Sequence, residues 1–184
     1  MSYHTEFEGR IEVEPPLSTA EVEFLTKFSQ TRRMKRKLGP YYVGGTGHLG
    51  QGKDSDIIDY NAPPRGQPWL ICSWRPTLDG TAIEWDENEG PEKPVEWMRY
   101  LIKHFIAPTH ICRLPFLTGH ICNGTILAQG EDMRDRWQLA VSNNAVQVVE
   151  LPMATEAEYK ECLARQKERY KVEILAHWRP ELYK

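Results

Sequence analysis

Trp137-Gln138-Leu139-Ala140-Val141-Ser142-Asn143-Asn144-Ala145-Val146-Gln147-Val148-Val149 reads as two short strands joined at a pair of asparagines. Asparagine tolerates the left-handed backbone that a two-residue turn requires, so this run predicts a β-hairpin. Working outward, residues 69–75 predict a strand with Leu70, Cys72 and Trp74 on one face. Leu78-Asp79-Gly80 supplies its turn, and residues 81–85 return as the partner strand. Residues 3–14 alternate through Tyr3, Thr5, Phe7, Ile11 and Val13, with Gly9 as the expected site of a bulge and Pro15-Pro16 as the stop. Residues 110–113 and 119–128 predict further strands. Hairpin-type connections dominate and no strand–helix–strand repeat occurs. The expected fold is therefore α+β: a mostly antiparallel sheet with about three helices packed mainly on one face, in a single domain.

The first helix has a capping box, Ser18 with Glu21 three residues on, and a hydrophobic staple from Leu17 to Val22. Leu25 and Phe28 continue its buried stripe. It is expected to run out in Arg32, Arg33, Lys35, Arg36 and Lys37, where cations suit the negative end of the helix dipole. Pro94 opens a second helix, with Val95, Met98, Leu101, Ile102 and Phe105 buried and Pro108 as its stop. A third begins at Thr155, capped by Glu158, with Glu156–Lys160 and Glu161–Arg165 in the favourable order for ion pairs. Residues 39–68 are rich in glycine and proline and follow no period, which predicts a long irregular loop of the kind that often carries function.

A chain of 184 residues with 40% hydrophobic and 27% charged residues suits one folded domain rather than a disordered or membrane-spanning one. Its formal charge of −3 argues against a protein that coats nucleic acid over a whole face. The opening residues lack the basic and apolar regions of an export signal. Cys72, Cys112, Cys122 and Cys162 are widely spaced, and the expectation is thiols in a reducing cytoplasm.

The segments Asp56-Ile57-Ile58-Asp59-Tyr60-Asn61-Ala62-Pro63-Pro64, Gly66-Gln67-Pro68-Trp69-Leu70 and Asp79-Gly80-Thr81 form an ordered series. Trp85-Asp86, Trp97, Tyr100-Leu101, Asn123-Gly124, Gln129-Gly130-Glu131-Asp132 and Asp135-Arg136-Trp137 continue it. Over roughly residues 40–150 the chain resembles a family of small uncharacterised proteins encoded by actinobacteriophages and actinobacterial genomes. The resemblance implies an origin, the host cell cytoplasm as the place of action, and a single fold. It implies no catalytic residue.

Gly45-Thr46-Gly47-His48-Leu49-Gly50 has dinucleotide-binding spacing, yet no periodic helix follows its last glycine, so the pyrophosphate would meet no helix dipole. Gly52-Lys53 lacks the hydroxyl residue of a nucleotide phosphate loop, since Asp54 stands there. His110-Ile111-Cys112 and His120-Ile121-Cys122 would offer His110, Cys112, His120 and Cys122 to one zinc ion if two strands met. His-x-Cys is not a usual zinc spacing, so buried thiols and a partly exposed histidine pair are the favoured reading. The acidic run Glu84, Asp86, Glu87, Glu89 and Glu92 reads as a solvated loop, and Trp69, Trp74, Trp85 and Trp97 read mainly as core.

No nucleophile–base pair stands out, and no cofactor or metal is implied. The sequence is therefore best read as a non-catalytic binding or accessory protein of phage type that engages a host protein or a small ligand. Its expected contact surface joins Arg32, Arg33, Lys35, Arg36 and Lys37 to the loop carrying Gly45, Gly47, His48 and Lys53. A small enzyme acting on nucleotides or nucleic acid, using Asp86, Glu92 and His104, is the alternative. Salt-sensitive nucleic-acid binding without catalysis is the second.

Overall fold

The computed structural model describes residues 3–45, 54–87 and 92–178, with side chains as far as residue 168. The chain opens with β1 (Thr5–Glu14) and α1 (Thr19–Gln30), then the short pair β2 (Lys35–Arg36) and β3 (Ile57–Asp59). Next come β4 (Trp74–Pro76), β5 (Ala82–Trp85) and α2 (Pro94–Leu101), the last running into a π-helical turn over Ile102–Ile106. β6 (Ile121–Gly130), β7 (Arg136–Ser142), β8 (Ala145–Glu150) and α3 (Glu156–Trp178) complete it. Six strands form one antiparallel sheet in the order β4-β5-β1-β6-β7-β8, while β2 and β3 pair separately. The α+β architecture is as expected.

Strand alternation sorts the sheet into two faces. Phe7, Ile11 and Val13 of β1 are buried, and Phe7 meets Trp74, Trp85 and Trp137 edge to face, joining β4, β5 and β7 to β1. α1 and α2 cover this face, contributing Phe24, Leu25, Phe28, Met98 and Leu101. Each such fully buried side chain stabilises the fold by about 1.5–3 kcal/mol. α3 lies on the opposite face, where Arg165 bonds Glu8 at 2.8 Å, Glu158 pairs with Arg136 and Cys162 is buried.

Several local expectations are borne out. Ser18 and Glu21 make both bonds of the capping box, and Thr155 with Glu158 repeat the pattern at α3. Asn143 and Asn144 take φ of 47° and 69°, a left-handed pair between β7 and β8. Pro94 occupies the first turn of α2.

Others are corrected. Gly9 marks no bulge, for β1 pairs with β6 in unbroken register from Thr5–Gly130 to Glu14–Ile121. At φ +108° a Cβ there would meet the Thr125 carbonyl oxygen at 2.5 Å, so glycine serves close strand approach. α1 ends at Gln30, before the arginines: Thr31 turns extended and its hydroxyl takes the Lys27 carbonyl at 2.6 Å. The strand expected at 69–75 is reduced to Trp74–Pro76, because the Leu70 carbonyl accepts from Arg33 N–H instead of a sheet partner. Residues 110–113 form no strand either. Ile111 and Cys112 donate their amides to the Lys103 and His104 carbonyls, folding this segment back on the end of the π turn.

Candidate functional site

The irregular segment after α1 gains its order from two buried guanidinium groups. Arg33 is 2% exposed, lies 4.0 Å over the Phe28 ring, and donates to the carbonyls of Pro40 and Tyr42 at 2.8 and 3.0 Å. Gln67 reinforces it, bonding the Pro40 carbonyl at 2.6 Å and the Tyr100 hydroxyl at 3.1 Å. Among the described residues Arg33 has no carboxylate partner, and burial lowers its pKa to about 10, leaving it charged at neutral pH. Arg36 is balanced differently. Its Nη1 bonds Asp56 at 3.0 Å and its Nη2 bonds Asp54 at 3.0 Å. Burial alone would lower its pKa, but these two carboxylates outweigh it and the net shift is upward. Gly45, at φ +77°, lets the backbone pass over this group, since a Cβ would reach Asp54 Oδ2 at 2.4 Å.

On this base stands a two-stranded platform. Lys35 pairs with Asp59 and Arg36 with Ile57, and the Lys35 and Lys37 amides donate to the Ala62 and Asp56 carbonyls. Lys35 and Lys37 point to solvent, as do Leu38, Ile58 and Tyr60 at 60%, 54% and 41% exposure. Arg32 is half-buried and bonds the Tyr60 carbonyl. The expected basic contact surface is thus corrected: Arg33 and Arg36 are interior supports, and Arg32, Lys35 and Lys37 are the cations left at the surface. Gly47, His48 and Lys53 lie outside the described residues.

His104 packs against two tyrosines. Its ring stacks on Tyr100 at 3.8 Å, and Nδ1 meets the Tyr41 hydroxyl at 2.8 Å. Burial, with Lys103 beside it, lowers its pKa. Of the two acidic residues considered with it, Asp86 is half-buried and Glu92 exposed. Burial pushes the neighbouring Tyr100 hydroxyl up to about 12.

The four histidine and cysteine candidates also go separate ways. His110 bonds the Ala107 carbonyl, and Cys112 and Cys122 are buried thiols, the latter pushed up to about 12 by burial. Among the described residues no three metal-binding side chains come together. His120, expected to be partly exposed, is 1% exposed. Its Nδ1 faces the Pro15 carbonyl at 2.6 Å and its Nε2 faces Glu21 Oε1 at 3.0 Å. Thr118 donates its amide to the same Glu21 oxygen at 2.7 Å. The sequence reading placed Glu21 in a helix cap and no further; no local signal links it to a histidine 99 positions away.

Comparison with protein-family models, with curated proteins and with solved structures finds no match for this chain.

Proposed function

We propose that the chain is a non-catalytic binding protein that presents the β2–β3 platform to a protein partner with an acidic, apolar surface. One observation carries the reading: two buried arginines support a small sheet at which Lys35, Lys37, Leu38, Ile58 and Tyr60 are exposed. Exposed aromatic and aliphatic anchors on a fixed support bind at low entropic cost, and the flanking cations steer an acidic partner. The resemblance to phage-encoded proteins adds the proposal that the partner is a host protein. No helix among the described residues is long and apolar enough to cross a membrane.

The full chain carrying a photo-cross-linker at Ile58 is exposed to host lysate, and the captured protein is identified and its affinity measured. Tyr60→Ala is expected to weaken binding about 30-fold, the value of a moderate interface anchor. Reversing Lys35 and Lys37 to glutamate is expected to slow association and remove its salt dependence. An affinity indifferent to both changes overturns the platform. Steep, salt-dependent binding to DNA or RNA through the same lysines would replace it with nucleic-acid recognition.

A further inference from the structure

The two ends of the six-stranded sheet differ. β4 is three residues long and closes on Pro76, and short strands and prolines are how proteins blunt an edge. β8, at the other end, is six residues long and contains no proline or lysine, and its Val148 and Val149 are 47% and 41% exposed. An exposed apolar edge of that kind is a template for another strand.

The hairpin register says which backbone groups face outward. Ser142 opposes Ala145 across the two-residue turn, and Leu151 N–H donates to the Arg136 carbonyl at 3.1 Å. Antiparallel pairs alternate between bonded and non-bonded, so Ala145, Gln147 and Val149 bond to β7. Val146, Val148 and Glu150 therefore turn their N–H and C=O groups away from β7. Their side chains share the α2 face: Val146 lines an open groove of about 430 Å³ with Arg99, Ile102, Lys103, Ala107 and Asn144. Val148 and Glu150 line the adjoining hollow beside Val95 and Trp137.

We propose that the occupant of this edge is β8 of a second copy, paired antiparallel about a two-fold axis at Val148. Outward-facing residues must oppose outward-facing residues, and the register that uses all three sets Val148 against Val148 and Val146 against Glu150. Charge complementarity selects this partner. Arg99 already reaches Val146, its Nη2 lying 3.5 Å from the carbonyl oxygen, and Lys103 shares the groove. Glu150 is exposed, and no ion pair of the described residues includes it, Arg99 or Lys103. In the paired register Glu150 of each copy arrives beside Val146 of the other, within reach of Arg99 and Lys103. Arg99 exchanges a long bond to a carbonyl, which the new strand needs, for a carboxylate. The isologous contact repeats this pair twice, buries both copies of Val148, and extends the sheet to twelve strands. An edge of about 20 Å makes a small interface, so the dimer forms with rising concentration.

Sedimentation velocity of the full chain from micromolar to near-millimolar concentration tests this, with circular dichroism confirming that each variant is folded. The wild type is expected to shift from monomer to dimer. Val148→Pro removes an outward N–H and the valine side chain that the dimer buries, but no bond of the β7–β8 ladder, and it is expected to weaken association at least about tenfold. Arg99→Glu and Glu150→Arg are each expected to weaken it about tenfold, and the double variant to restore it, as for a close charge pair. These surface reversals keep the test open if the proline variant fails to fold. A wild type that stays monomeric throughout overturns the proposal, as does a dimer that ignores Val148→Pro or is not rescued by the double reversal. The β2–β3 platform is untouched by these changes, so its test stands or falls separately.

Discussion

At the residue scale, the most consequential group in the interior is one that contributes no visible motif. Glu21 is 1% exposed, and burial by itself would raise its pKa. Hydrogen bonds from Thr118, His120 and Ser18 outweigh burial and bring it from 4.5 to about 2. A carboxylate with a depressed folded-state pKa stabilises the fold above its unfolded value, and that contribution is lost as pH falls from about 4.5 toward 2. The shift corresponds to about 3 kcal/mol. His120 Nδ1 faces the Pro15 carbonyl oxygen, and Nε2 faces both the Glu21 carboxylate and the Thr118 hydroxyl. Urea unfolding between neutral pH and pH 2 is expected to show wild type losing about 3 kcal/mol more than Glu21→Gln, which is already weakened at neutral pH. Parallel stability curves for the two proteins would show that Glu21 is not the acid-sensitive group.

At the scale of elements, what the sequence displays and what it conceals divide by distance along the chain. Both capping boxes and the Asn143-Asn144 turn were readable because each is complete within a few residues. The strands expected at 69–75 and 110–113 failed for the opposite reason: their amides and carbonyls are spoken for by Arg33, Lys103 and His104, groups that no periodicity reveals. The turn itself shows both sides. Asn143 and Asn144 both hold left-handed backbone, and on that ground either tolerates glycine. Asn144, however, also accepts from Cys122 N–H at 2.7 Å and donates to the His120 carbonyl at 3.0 Å, tying the turn to the start of β6. Asn143→Gly is therefore expected to change stability by no more than about 0.5 kcal/mol. Asn144→Gly is expected to cost about 1–3 kcal/mol, since it leaves a part-buried amide and carbonyl without their partners. Equal losses in thermal or chemical unfolding would mean that the turn alone matters.

For the whole molecule, the α+β class and the hairpins were legible, but the strand order was not. β1 joins β5 and β6 across most of the chain, and nothing near β1 announces either partner. The basic run misled for a related reason, because the carbonyls that bury Arg33 come from Pro40 and Tyr42 in the irregular segment. The same distribution of contacts makes stability uneven. β1 and β6 lie at the centre of the sheet, with Ile11, Cys122, Ile126 and Ala128 fully buried. α3 rests on the outer face by exposed ion pairs from Glu8 and Arg136, a hydroxyl bond from Tyr159 to the Glu131 carbonyl, and the buried Cys162. Exposed ion pairs contribute about 0–1 kcal/mol each, far less than the buried apolar core. Helix α3 is thus expected to open locally while the sheet stays closed. Native-state hydrogen exchange should find α3 amides exchanging orders of magnitude faster than those in the middle of β1 and β6. Added salt should widen the gap, by screening the Arg165–Glu8 and Arg136–Glu158 pairs and leaving the core unaffected. Equal protection of α3 and β1 would instead make the helix part of one cooperative unit, held by apolar contact rather than by charge.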